Sequence, residues 1–224
     1  MSASSLDLTR KIIAIFWDIG GVLVRTEDRG PRARLAQSLG TTYEDLEELV
    51  WGGERGRLAQ CGHISEPEQW RFACRSLGLE EDQAGWLKSE FFAGDRVDDE
   101  LAQAICQLRQ TYKTGVISNA MSDARRFLEE EAGIGDAFDH LTYSYAVGIM
   151  KPQPEIFQAA LQALEVEPGQ AVFVDDFEKN VTGAREAGMQ AVHFKSREQA
   201  LEDLEVILGI RGSSLRSERH KKGY

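Results

Sequence analysis

Several side chains able to do chemistry stand at the ends of apolar runs or beside a helix start. They are Asp18, Ser118, Asn119, Lys151, Asp175 and Asp176. A lone acid or hydroxyl at the end of a strand is usually a turn or cap residue. In a parallel sheet, however, the carboxyl ends of the strands form one rim where ligands bind. We therefore expect these six side chains to converge on a single site.

The predicted rim has the groups that phosphoryl transfer needs. Three neighbouring carboxylates, Asp18, Asp175 and Asp176, repel one another and raise each other's pKa values. A divalent cation relieves that repulsion, and carboxylates with backbone carbonyls and water suit Mg²⁺. Lys151 and Ser118 add a positive charge and a hydroxyl donor for a bound anion. A nucleophilic carboxylate, a metal ion and an anion clamp together indicate phosphoryl transfer, with the attacking oxygen on Asp18.

Two glycines follow the candidate nucleophile. Gly20 and Gly21 allow the chain to turn tightly, and they allow its backbone to approach a phosphate without interference from a Cβ. Side chains alternate along a strand, so Trp17 is expected to point away from the site into the packing of the sheet.

Strands and helices alternate over most of the chain. Apolar runs predict strands at 12–17, 114–118, 138–144, 171–176 and 190–194. Helical patterns lie at 101–110, 123–131, 155–164, 180–187 and 198–208. This alternation predicts an α/β fold, a Rossmann-like doubly wound parallel sheet with helices on both faces.

One segment interrupts the alternation. Residues 25–98 carry no strand signal and predict helices at 31–39, 42–50, 66–77 and 81–92. We interpret this segment as an inserted all-α helical domain; the alternative is that these helices pack into a single core. The core would then comprise 9–24 and 99–210, followed by a basic tail, 211–224, that we expect to be disordered. Trp51, Trp70 and Trp86 are expected to anchor the helical core; the alternative is that one of them lines the substrate pocket, and the spacing does not say which.

Composition excludes several classes of function. The 224 residues carry a net charge of −11, which argues against a nucleic-acid binder because phosphate contacts need Lys and Arg. The three cysteines form no CxxC pair, so free thiols in a reducing cytoplasm are expected. No apolar stretch approaches the length of a membrane span. The sequence leaves a monomer and a homodimer open.

The motifs resemble those of the haloacid dehalogenase superfamily, in order. "IIAIFWDIGGVL" resembles motif one, with Asp18 the nucleophile; "TGVISN" resembles motif two, with Ser118 holding the phosphate. "GIMKPQPEIF" resembles motif three, with Lys151 neutralising charge; "VFVDDFEKNVTGAREAGM" resembles motif four, whose acid pair holds Mg²⁺. The insert, including "RLAQCGHISEPEQWRFACRSLG", is similar to the family's mobile cap. The resemblance implies a phosphatase of a small phosphorylated metabolite, with Asn180 hydrogen-bonding around the metal.

One position departs from the family pattern. Phosphatases of the family usually carry a second aspartate two places after the nucleophile, which protonates the leaving group and later activates water; here that residue is Gly20. A backbone carbonyl at Gly20 can still contact the metal, but the proton shuttle is missing. His63, Glu27 and Asp28 are candidate donors, each more simply interpreted as a solvated residue.

Gly20 also keeps two other functions open. A 2-haloacid dehalogenase lacks the second aspartate too, but it needs no metal and typically has neutral residues in place of the motif-four acids. A catalytically impaired binding protein with the same fold is the other alternative. The acid pair and the retained residues at the strand ends favour the phosphatase.

Overall fold

The computed structural model of the protein describes residues 11–210. Its strands in chain order are β1 (Ala14–Trp17), β2 (Val24–Thr26), β3 (Asp95–Val97), β4 (Lys113–Ser118), β5 (His140–Tyr143), β6 (Ala171–Asp175) and β7 (Gln190–His193). Its α-helices are α1 (Gly30–Ser38), α2 (Tyr43–Trp51), α3 (Gly53–Gln60), α4 (Glu66–Ser76), α5 (Ala84–Phe92), α6 (Asp99–Leu108), α7 (Ala124–Arg126), α8 (Ser144–Val147), α9 (Pro154–Ala163), α10 (Glu178–Glu186) and α11 (Arg197–Leu208).

Five strands form a parallel sheet in the order β5-β4-β1-β6-β7. The central strand β1 pairs Trp17 with Val116 of β4 and with Val174 of β6. The next residues along β1 and β6 are therefore Asp18 and Asp175, side by side at the carboxyl edge. The predicted doubly wound α/β fold is confirmed.

The two faces of the sheet bury separate apolar layers. Ile15 and Trp17 point to the face that also holds Leu101 of α6 and Leu204 of α11. Phe16 points to the opposite face, against α9 and α10. Alternation along β1 thus turns the Trp17 side chain into the packing of one face of the sheet, as predicted, and it is fully buried.

Helices α1 to α5 bury an apolar cluster of their own. Trp70 is buried there with its ring 5.6 Å from that of Phe91, edge to face. Trp51 packs edge to face on Phe92 at 6.0 Å and is half-buried. The expectation that Trp86 anchors this core is wrong, because the side chain lies on the outer surface, 45% exposed.

The prediction of no strand within 25–98 is also wrong. Strands β2 and β3 pair antiparallel, joining the two points where the chain enters and leaves the helices. Three residues per strand are too few to show an alternating pattern. Arg25 and Asp98, at the base of this ribbon, form an ion pair of 2.7 Å, and Arg197 of α11 also contacts Asp98 at 2.7 Å.

Helix α3 has no counterpart among the predicted helices, because its sequence "GERGRLAQ" contains two glycines. Gly56 is needed there, since a Cβ would lie 2.5 Å from the carbonyl oxygen of Trp51. The helix predicted at 123–131 is irregular: α7 has three residues and passes into a π-helical turn, Phe127–Glu131.

The division into core and cap stays a prediction, although the ribbon and the separate apolar cluster agree with it. Residues 9–10 and the basic tail, 211–224, lie outside the described residues. Between residues 11 and 210 no helix is both long and apolar enough to cross a membrane.

Candidate active site

Asp18 lies immediately after β1 and is 6% exposed. The backbone N–H of Ile19 donates to its Oδ1 at 2.8 Å. Burial raises the pKa of Asp18 to about 7, against the lowering effect of the charge of Lys151 and with a further increase from Asp175. The side chain is therefore a desolvated carboxylate held against a single cation.

Lys151 connects two of the predicted site acids. Its Nζ lies 2.9 Å from Asp18 Oδ1 and 2.6 Å from Asp175 Oδ2, and its side chain is 1% exposed. The Asn119 side chain holds the Lys151 backbone from both sides: its Oδ1 accepts from the Lys151 N–H at 2.8 Å, and its Nδ2 donates to the Lys151 carbonyl at 3.1 Å. Asn119, predicted as a substrate-binding residue, thus also positions the lysine.

Asp175 and Asp176 lie at the end of β6. Asp175 is fully buried and accepts hydrogen bonds from Asn180 Nδ2 at 3.0 and 3.1 Å and from the Phe177 N–H at 2.8 Å. Burial and the charge of Asp175 raise the pKa of Asp176 to about 6. Asp18, Asp175 and Asp176 each offer a carboxylate oxygen, and these oxygens lie within 4.8 Å of one another.

Two oxygens near this cluster are buried without a hydrogen-bond partner in the described part of the chain. They are Oδ1 of Asp176 and Oδ1 of Asn180. A buried acceptor without a donor is costly unless a cation or water satisfies it. The structure thus brings the predicted acids together with Asn180 and leaves acceptors for an ion.

The two glycines differ in what they allow. Gly21 has φ +80°, and a Cβ there would lie 2.1 Å from Asp176 Oδ2, so only glycine fits beside this acid. Gly20 has no atom within 4 Å of the position that a Cβ would take, and its backbone is not left-handed. A side chain at position 20 would therefore extend freely into the cleft, which Gly20 lines.

Ser118 ends β4 and is 3% exposed. Its hydroxyl lowers the pKa of Asp18 by hydrogen bonding, so the two side chains are neighbours. All the side chains predicted from the strand ends thus meet at one edge of the sheet, together with Lys151 from the loop before α9.

A cleft of about 1550 Å³ lies above this edge. Asp18, Ser118 and Lys151 line its core side, and α2, α3 and α5 line the opposite side. Helix α2 contributes Glu44, Glu47, Glu48 and Trp51, which the sequence did not single out as a group. Their common spacing on one helical face was the available signal, but only the fold shows that this face turns toward the site.

The candidate proton donors named from the sequence do not line the cleft. His63, Glu27 and Asp28 are absent from its walls. Asp28 instead accepts the backbone N–H of Gly30 at the start of α1, at 2.8 Å. Among the tryptophans, Trp51 is a wall residue of the cleft; the sequence alone did not distinguish it from the others.

The model of the haloacid dehalogenase-like hydrolases matches residues 12–188. The fold and the site define a class of hydrolase that has a parallel sheet and a buried acid at the end of its central strand. The chain belongs to the haloacid dehalogenase-like hydrolase family.

Relatives with assigned names include phosphatases. The chain is 29% identical over 205 residues to D-ribitol-5-phosphate phosphatase of Bacteroides thetaiotaomicron, covering 87% of this chain and 97% of the relative. It is 28% identical over 218 residues to glyceraldehyde 3-phosphate phosphatase of Pyrococcus furiosus, covering 88% and 86%. It is 31% identical over 142 residues to bifunctional epoxide hydrolase 2 of Rattus norvegicus; that match covers 61% of this chain but only 26% of the relative.

Solved structures share the fold. A haloacid dehalogenase family enzyme of Bacteroides thetaiotaomicron, solved with magnesium and inorganic phosphate, superposes with a TM-score of 0.68 at 22% identity, covering 83% of this chain and 96% of that one. A 2-haloacid dehalogenase of Pseudomonas syringae gives a TM-score of 0.59 at 23% identity, covering 88% and 98%.

Proposed function

We propose that this hydrolase is a Mg²⁺-dependent phosphatase of a small phosphorylated metabolite, acting through an aspartyl-phosphate on Asp18. One observation carries the proposal: three carboxylates and one lysine converge at the carboxyl edge of the sheet, with carboxylate oxygens within 4.8 Å of one another. One ammonium group does not neutralise three neighbouring acids, so this cluster favours a divalent cation.

The residues present fit Mg²⁺. Asp18 and Asp176 offer carboxylate oxygens, and the Gly20 carbonyl is a further candidate ligand. Asp175 is held by Asn180 and Lys151, which suits a role in orienting the site or binding through water. The unpartnered Asp176 Oδ1 supports the fit most directly. When bound, the ion would neutralise charge on the phosphoryl group.

In the proposed reaction, Asp18 attacks phosphorus, the Asp18–phosphorus bond forms and the bond to the leaving oxygen breaks. Lys151 and Ser118 hold the phosphoryl oxygens, and Asn119 keeps Lys151 in place through its backbone. The leaving oxygen takes a proton from solvent water, and a water molecule then hydrolyses the aspartyl-phosphate to release phosphate. The site would lower the activation barrier by holding the reacting groups in position before the reaction.

The cleft supports a small substrate. Helices α2, α3 and α5 face the reactive edge and would restrict both substrate size and water. As part of the same proposal, residues 25–98 act as a cap over the site. The proposal also takes the protein to be a cytoplasmic monomer or homodimer. The phosphatase names of two relatives support the reaction class.

The two alternatives are not favoured. A dehalogenase would need no metal. The buried, unpartnered Oδ1 of Asp176 would then destabilise the protein and have no role in the reaction. A binding protein would not require Asp18 to be desolvated against Lys151.

Phosphate release from para-nitrophenyl phosphate, with Mg²⁺ or with EDTA, tests the proposal. We expect turnover with Mg²⁺, none with EDTA, and a loss of about 10³-fold or more in Asp18→Asn, because the amide is not a nucleophile. The Asn variant keeps the size of the side chain, so a thermal melt separates loss of chemistry from loss of fold. EDTA-resistant halide release from 2-chloropropionate, with no phosphate release, would instead establish the dehalogenase.

A further inference from the structure

One face of helix α2 is turned toward the cleft. Glu44, Glu47, Glu48 and Trp51 stand at positions i, i+3, i+4 and i+7 and all four line its wall. Residues at this spacing share one side of a helix. The catalytic edge of the sheet therefore faces a surface of carboxylates and one aromatic ring.

Neighbouring groups hold this face in place. Glu47 Oε1 lies 2.5 Å from Arg32, whose side chain is 5% exposed. Glu48 Oε1 accepts the N–H of Gly53 at 2.8 Å. Trp51 packs edge to face on Phe92 at 6.0 Å. Three of the four side chains are thus held in place, which lowers the entropic cost of binding a ligand against them.

The charge on this face is only partly neutralised. Arg32 balances Glu47. Tyr43 and, more weakly, the charges of Glu47 and Glu44 raise the pKa of Arg29. Across residues 11–210, however, neither Glu44 nor Glu48 forms an ion pair within 4.0 Å. Lys88 and Arg126 also line the cleft, but both are already engaged by acids: Lys88 by Glu66 and Asp123, and Arg126 by Glu131.

We propose that the α2 face binds the leaving group of the substrate, and that this leaving group is a neutral polyol. The inference rests on the phosphatase function proposed above. Carboxylates are acceptors only, so Glu44 and Glu48 suit hydroxyl donors. The face of Trp51 suits the C–H groups of a polyol chain. The same carboxylates repel a second anionic group, so phosphorylated carboxylic acids and bisphosphates are disfavoured as substrates.

Three cations on other walls make this inference a real choice. Arg57 of α3, Arg96 of β3 and Lys179 of α10 line the cleft without an ion pair within 4.0 Å in the described chain. All three are exposed to solvent, and Lys179 lies over the ring of Phe177 at 5.5 Å. Screening weakens these charges and those of the equally exposed Glu44 and Glu48 alike, so the acids are favoured because they share one helical face with Trp51. A preference for acidic substrates would assign the leaving-group site to them instead.

Glycerol 3-phosphate and 3-phosphoglycerate provide a matched test, because they differ by a hydroxymethyl group against a carboxylate. We expect kcat/KM to favour glycerol 3-phosphate by roughly tenfold, the factor that one partly screened like-charge contact produces. In the double variant Glu44→Gln/Glu48→Gln the ratio should approach one. The amide oxygen introduced by Glu48→Gln can still accept the N–H of Gly53, so the helix junction is kept. Glu54→Gln, on α3 and outside the cleft, is the control and should leave the ratio unchanged.

Binding of the same pair to Asp18→Asn with Mg²⁺, measured by calorimetry, separates this inference from the reaction itself. Discrimination in binding without turnover of any ester by the wild type would uphold the polyol site and overturn the phosphatase. Turnover with equal or better use of 3-phosphoglycerate would overturn the polyol site and leave the phosphatase standing. A double variant that keeps the wild-type ratio would also overturn it.

Discussion

Replacing Gly20 by aspartate should create a proton donor that this site lacks. The backbone at position 20 is not left-handed, and a Cβ there meets no atom within 4 Å, so the substitution needs no rearrangement. Gly20 lines the cleft two residues after Asp18, which places a new carboxyl beside the leaving group. The variant should therefore fold as the wild type does.

The size of the gain depends on the leaving group. A positioned general acid contributes about 10²–10⁴-fold, equivalent to roughly 3–5 kcal/mol of barrier. Glycerol 3-phosphate expels an alkoxide and needs that proton, so we expect kcat to rise by about 10²-fold in Gly20→Asp. Para-nitrophenolate leaves without protonation, so the rate of its release in the first turnover should rise only a few-fold, whatever the variant gains in hydrolysis of the intermediate.

Gly20→Asn is the matched control, because its side chain has the same size but cannot transfer a proton. The effect is measured by initial rates on glycerol 3-phosphate and by first-turnover release of para-nitrophenolate, for wild type and both variants across pH. Equal gains for Asp and Asn would mean that side-chain volume, not acid catalysis, acts at position 20. No gain on glycerol 3-phosphate in a folded Asp variant would refute the reasoning and mean that another group already donates the proton.

Two further predictions concern the turn and the ribbon. Gly21→Ala should abolish most activity, because the new Cβ would collide with Asp176 and the backbone φ of +80° disfavours alanine. Phosphatase assay and Mg²⁺ titration measure the loss. Gly20→Ala is the control, because a Cβ at position 20 meets no atom within 4 Å. Asp98→Asn should lower the free energy of unfolding at pH 7 by about 2 kcal/mol, measured by urea denaturation. Burial opposes the effect, but hydrogen bonds from Arg25, from the backbone N–H at the start of α6 and from Arg197 lower the pKa of Asp98. Its stabilisation is therefore present above the ordinary carboxyl pKa and lost as pH falls through the lowered one, so the difference between wild type and variant should begin to shrink near about pH 4 and continue to shrink as pH falls further. A difference that does not shrink at all as the pH is lowered below about 4 would contradict this.

The catalytic edge could be predicted from the sequence because its geometry follows from topology. Once the strands are parallel, Asp18, Ser118 and Asp175 must share one rim, whatever the details of packing. Lys151 was predicted from its position just before a helix start, with motif resemblance in support, and its Nζ lies 2.9 Å from Asp18 Oδ1.

The opposite wall of the cleft could not be predicted, because it depends on how α2 is oriented over the sheet. The sequence does not distinguish Trp51 from Trp86, yet Trp51 lines the cleft and Trp86 is 45% exposed. Gly20 and Gly21 also look equivalent in sequence, but only Gly21 is sterically required. These distinctions depend on contacts between residues distant in the chain, which local patterns do not encode.

The most direct test of the central claim is detection of phosphate on Asp18 itself. Because Gly20 cannot activate water, hydrolysis of the intermediate should be slow and the phosphorylated form should accumulate. We would acid-quench wild-type protein during turnover of para-nitrophenyl phosphate with Mg²⁺ and analyse its peptides by mass spectrometry. The account predicts one added phosphoryl group on the peptide containing Asp18, less of it in Gly20→Asp and none in Asp18→Asn. Phosphate release with an unmodified Asp18 peptide, or with the group on another residue, would contradict it.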